Sequence, residues 1–247
     1  MAANGIVAEV GRSSSRPADG SEARPVELSH NTRKALAHEP PRLRGVVHRW
    51  ATVAMVPLGA WAVAAATPGR HRWAVGMYVA ASILMLGLSA GMHHRRRDAR
   101  ATERWVRLDH TGIYVMIATA VTAVSLVGTS PPWQAWVIGV SWVLAGFGLV
   151  VEWLPRRTPR GFAHTMFLVN GWVAVVLVWQ LWQAPEAGPV AVAWLLAGGL
   201  CYTVGAVVVA LRRPDPLPTL FGYHEVWHVM VVVAVLAHLW LIAGVLA

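Results

Sequence analysis

The chain has 247 residues, of which 56% are apolar and only 13% charged, yet its formal net charge is +9. Mean hydropathy is +0.49. A soluble domain carries about a quarter charged residues, so a water-soluble enzyme, a disordered chain and a disulfide scaffold are excluded; Cys201 is the single cysteine. Basic residues lying between long apolar runs point to a membrane rather than to nucleic acid.

Residues 1–44 are rich in Ala, Ser, Pro, Glu and Arg and contain no sustained apolar run. They are expected to form a mostly disordered cytoplasmic tail, and no secretory signal is read in them. Residues 45–247 form the membrane domain. Seven apolar segments follow the tail, at 46–66, 73–93, 110–130, 133–153, 162–182, 190–210 and 221–246. Each is about 20 residues long, the length that crosses a bilayer as a helix. Backbone groups in lipid must be satisfied within the segment, and the absence of strict alternation argues against a barrel. The expected fold is all-α, a seven-transmembrane helix bundle in a multi-pass cell-membrane protein whose first partners are membrane lipids.

Charge orients the bundle. Nineteen of the 21 Lys and Arg residues fall in the tail and in the connections that contain Arg95, Arg156 and Arg212, whereas Arg70 and Arg72 alone fall on the opposite side. The positive-inside rule then predicts a cytoplasmic N-terminus and an external C-terminus. Fourteen tryptophans, among them Trp50, Trp73, Trp133, Trp153 and Trp227, suggest interfacial belts. Gly198, Gly199 and Gly205 read as helix-packing positions.

With this orientation, His48, His93, His110, His164, His224 and His228 all fall at the cytoplasmic end of the spans. His224 and His228 are four apart and share a helix face, as do Ser89 and His93. Three neutral imidazoles, from His93, His224 and His228, would bind a zinc ion and leave a fourth tetrahedral position for water. The metal would lower that water's pKa toward about 7. Asp109, at the same level, would hydrogen-bond the water or a ligand, or would simply cap the third span. His94 and His110 read as interfacial residues, and His238 as a packing residue about 15 Å further along its helix. His224-Glu225-Val226-Trp227-His228 also matches H-E-x-x-H, in which the Glu is a protease's general base. That reading needs a third ligand, and His238, the one downstream histidine, is out of reach.

Several motifs taken together resemble the bacterial hemolysin III family. They are Pro41-Arg42-Leu43-Arg44-Gly45 with His48, Ser89-x-x-x-His93, Leu108-Asp109-His110-Thr111-Gly112-Ile113-Tyr114, Phe221-Gly222-Tyr223-His224-Glu225-Val226-Trp227-His228, and Gly198 to Ala206 followed by Arg212-Arg213-Pro214-Asp215-Pro216. That family belongs with the progestin and adipoQ receptors and, more distantly, the alkaline ceramidases. The resemblance implies a seven-helix fold with one zinc near the cytoplasmic face, held by His93, His224 and His228, with Ser89 and Asp109 beside it and Glu225 outside the ligand set. It implies either a zinc-dependent hydrolase of a lipid amide or ester, or a membrane-homeostasis or lysis protein that is not an enzyme. Met92 stands where members commonly have Tyr, and Val121-Thr122-Ala123 where many have Tyr-x-Pro.

Overall fold

The computed structural model describes residues 28–37, 39–94, 97–154, 159, 161–183 and 188–247. Arg95, Arg96, Arg156, Arg157, Arg160 and the basic residues of 1–27, which contribute to the charge asymmetry, lie outside the described residues. Seven helical segments are long and apolar enough to cross a membrane. They are α2 (Val46–Ala65), α3 (Arg70–His94), α4 (Ala99–Gly128), α5 (Trp133–Trp153), a fifth span over Phe162–Trp182, α8 (Gly188–Leu211), and a seventh over Tyr223–Val245. The chain is therefore a multi-pass, all-α membrane protein. Among the described residues the only β pairing is one isolated bridge, Leu217 to Phe221.

The fifth span is not one continuous α-helix. It runs as α6 (Phe162–Trp172), a 3₁₀ stretch over Val173–Leu177, and α7 (Val178–Trp182). Gly171 and the β-branched Val173, Val175 and Val176 have low helix propensity, and the tighter winding falls on them. The seventh span is α9 (Tyr223–Trp240), ending in a π-turn over Leu241–Val245.

Consecutive spans pack as antiparallel neighbours, most extensively α3 on α4 and α8 on α9. Contacts of α9 with α2 and α3 close the bundle. Its apolar centre includes Tyr78, Leu86, Leu177 and Ile242, all fully buried. Tyr78 Oη meets its need for a partner by donating to Val235 O at 2.9 Å. The outward faces carry exposed tryptophans, Trp73 at 77% and Trp136 at 70%, as lipid-facing surfaces do. Trp227 differs from the belt expected of it. It is half-buried and packs on Gly205, where a Cβ would come within 2.4 Å of its ring. Gly198 makes similar room for His238, but Gly199 faces open space.

α4 begins eleven residues before its apolar segment. Asp98 caps it, with Oδ1 accepting from Ala101 N at 2.8 Å. Asp109 thus stands well inside the helix, which removes the capping reading for it. The amino-terminal segment, expected to be a disordered tail, carries α1 (His30–Ala37) within its described part. Ser29 Oγ accepts from Thr32 N, and Ser29 N donates to Glu103 Oε2 at 3.0 Å, which docks α1 on α4. The next residues run beside the loop before α9, with Arg42 N and Leu43 N donating to Thr219 O and Leu220 O.

Candidate metal centre

His93 is the penultimate residue of α3, and His224 and His228 occupy the first turns of α9. Each of the three offers one ring nitrogen, and these nitrogens lie within 4.8 Å of one another. The three histidines can therefore hold a metal ion. His93 Nε2 and His224 Nε2 stand 3.3 Å apart. Two ligands of one tetrahedral ion, with bonds of about 2.0–2.1 Å, stand about 3.3–3.4 Å apart. The rings of His93 and His224 meet edge to face, and those of His224 and His228 do the same at 4.6 Å between centroids. Nδ1 of His228 and Oδ1 of Asp109 are buried without a hydrogen bond among the described residues. An orphaned ring nitrogen on one of three convergent imidazoles is what a cation would satisfy, so the donor set fits a metal.

Local sequence explains how these side chains meet. Gly45 precedes α2 with φ 75°, a left-handed conformation that other residues adopt only with strain. A Cβ at Gly45 would also lie 2.6 Å from His93 Cβ. Gly112 lets α4 approach α3 closely, since a Cβ there would sit 3.1 Å from Met85 Cα. Ser89 is one turn beyond Met85, and Asp109 is nearly one turn before Gly112. The two antiparallel helices thus bring Ser89 and Asp109 close to one another. Both residues line the same cavity of about 810 Å³ as the three histidines. Met116, Val121 and Leu195 are also in its lining, which is largely apolar.

Glu225 does not face this cavity. Its Oε2 accepts from Gly222 N at 2.9 Å, and its Oε1 accepts from Arg44 Nε. The carboxylate is fully buried, and both oxygens are used in fastening the start of α9 to the segment before α2. A protease base would need one of them, so the geometry opposes the H-E-x-x-H protease reading.

Three features escape the spacing argument. His48, 2% exposed, stacks on His228 with centroids 3.9 Å apart, yet its nitrogens are not in the convergent set. Arg44 pairs with Glu225 across 181 residues of sequence. His110, expected at an interface, is buried and bonds through Nδ1 to Glu152 Oε1 at 2.9 Å. A single acidic residue in the fourth span was the available signal for that last pair.

A family model described as Haemolysin-III related matches residues 37–239. The chain belongs to this family. Among curated relatives, haemolysin III proteins are similar along most of the bundle. "Hemolysin-3" of Bacillus cereus is 26% identical over 150 residues, 61% of this chain and 65% of that protein. "Hemolysin-3 homolog" of Bacillus subtilis is 24% identical over 147 residues, 60% of this chain and 65% of that protein. The "ADIPOR-like receptor IZH2" of Saccharomyces cerevisiae is 21% identical over 209 residues, 76% of this chain and 64% of that protein. The chain thus spans just under two thirds of the length of each of these relatives. No solved structure matches it. The haemolysin III membership and the receptor likeness agree with the family resemblance read from the motifs.

Proposed function

We propose that this haemolysin III protein is a zinc-dependent integral-membrane hydrolase of an acyl-lipid amide or ester, with its N-terminus in the cytoplasm. The observation that carries this reading is that three convergent histidines, Ser89 and Asp109 line one largely apolar cavity. His93, His224 and His228 would hold the zinc, which when bound supplies a Lewis acid that polarises a carbonyl and makes water acidic. Asp109 Oδ1, buried and without a hydrogen-bond partner, takes a proton from the attacking water. Ser89, which approaches Asp109 from α3, would orient the carboxylate. The apolar lining of the cavity takes the acyl chain and excludes bulk water.

The test is turnover of a short-chain ceramide and of other acyl lipids by detergent-purified protein carrying stoichiometric zinc. Asp109→Asn should keep the metal and lose turnover by about 100-fold or more. No turnover of any acyl lipid by the zinc-loaded protein would overturn the reading.

A second reading is a zinc-stabilised membrane sensor or lysis protein that is not an enzyme. It is favoured by the way the histidines join α3 to α9, so that an ion there would staple these two helices, with His48 of α2 stacked against His228. It predicts that chelation lowers the melting temperature while no chemistry is lost.

A further inference from the structure

The fourth span carries one acidic side chain, Glu152, and the structure buries it to 8% exposure against His110, also 8% exposed. Ionisable groups inside membrane spans are costly and are placed there for a task more often than by accident. The pair is arranged in depth. His110 lines the cavity that holds the three histidines, Ser89 and Asp109, whereas Glu152 stands behind it and does not line that cavity. Glu152 Oε1 engages Nδ1 of His110, and no described residue hydrogen-bonds its Nε2, the nitrogen left for the cavity. Phe167 packs edge-on to the imidazole at 5.6 Å between centroids, which fixes the ring plane. A carboxylate on one imidazole nitrogen, with the other left toward a cavity, is the arrangement of an oriented acid–base histidine. Asp109 and His110 are consecutive, about 100° apart around α4. One faces Ser89 of α3 and the other Glu152 of α5, and both reach the same cavity.

We propose that His110, oriented by Glu152, is a second catalytic acid–base group of this cavity and delivers the proton to the leaving atom. This rests on the hydrolase reading above. In that reaction the water oxygen bonds to the carbonyl carbon, and the bond from that carbon to the leaving nitrogen or oxygen breaks with its electron pair going to the leaving atom. One water proton passes to Asp109, and the Nε2 proton of protonated His110 passes to the leaving atom. The proton on Asp109 then returns to His110 through solvent, and both groups are reset. Glu152 is a positioning residue. It holds the ring and stabilises its protonated form without touching substrate.

The test compares two leaving groups. A ceramide amide leaves as an amine and needs protonation, whereas p-nitrophenyl palmitate releases a phenolate that does not. In His110→Gln and in Glu152→Gln, zinc per chain should stay at the wild-type value. The kcat on the amide should fall by about 100-fold or more, and the kcat on the nitrophenyl ester by no more than about threefold. Equal losses on both substrates, or no loss on the amide, would overturn the proposal and leave the hydrolase reading standing. If both variants lost zinc and their melting transition together, the pair would be a structural tie and the proposal would fall. Wild-type protein that hydrolyses neither substrate would overturn the hydrolase reading, and this proposal with it.

Discussion

His93 depends on a residue 48 positions away from it. Gly45 occupies the left-handed region and lies against the His93 side chain, so a methyl group there disturbs both the backbone and the ligand. Gly45→Ala should add strain of about 1–2 kcal/mol, and metal affinity, followed by competition with a chelator, should fall by about tenfold. Unchanged affinity would mean that His93 is placed by α3 alone. Glu225 makes a contrasting case. Within H-E-x-x-H it looks like a general base, but its oxygens bind Arg44 and Gly222 N. Glu225→Ala leaves the part-buried Arg44 charge and the buried Gly222 N–H without this partner, at a cost of about 1–3 kcal/mol. A marked fall in melting temperature is expected, and an unchanged melting temperature would contradict the fastening role. The three histidines were legible because spacing of four sets two of them on one face and the charge pattern sets the third at the same depth. The partners of Glu225 and His110 were not legible, because Arg44 and Glu152 come from other helices and no local period marks them.

At the scale of elements, the apolar segments coincide with the spans to within a few residues, except at α4. Hydropathy marks where a helix enters lipid, not where it starts. The polar turns from Ala99 onward are helical because Asp98 caps them and α1 docks on them. Asp98→Ala should cost about 1 kcal/mol, read as a small drop in melting temperature with metal content intact. Gly112 sets the distance between α3 and α4. Gly112→Leu should push Asp109 away from Ser89 and lower activity as Asp109→Asn does, while the three histidines still bind metal. Loss of metal in Gly112→Leu would show that the α3–α4 spacing supports the ligands too. The break in the fifth span was hidden in the sequence because valines suit lipid-facing surface and weaken helix alike.

For the whole molecule, composition alone indicated membrane spans, and the alternation of basic connections indicated which ends of the helices share a side. Reporter fusions at the two ends should place the N-terminus in the cytoplasm and the C-terminus outside; the reverse would put the histidines at the external face. The side chains' convergence follows from packing of α2, α3 and α9, which no sequence period records. The central claim is that His93, His224 and His228 together hold one zinc ion. Metal analysis of detergent-purified protein tests it most directly, with wild type compared to His93→Ala and His224→Ala. About one zinc per chain in the wild type, lost in each variant, is the predicted result. Equal zinc in all three proteins, or none in the wild type purified and assayed in zinc-containing buffer, would contradict it.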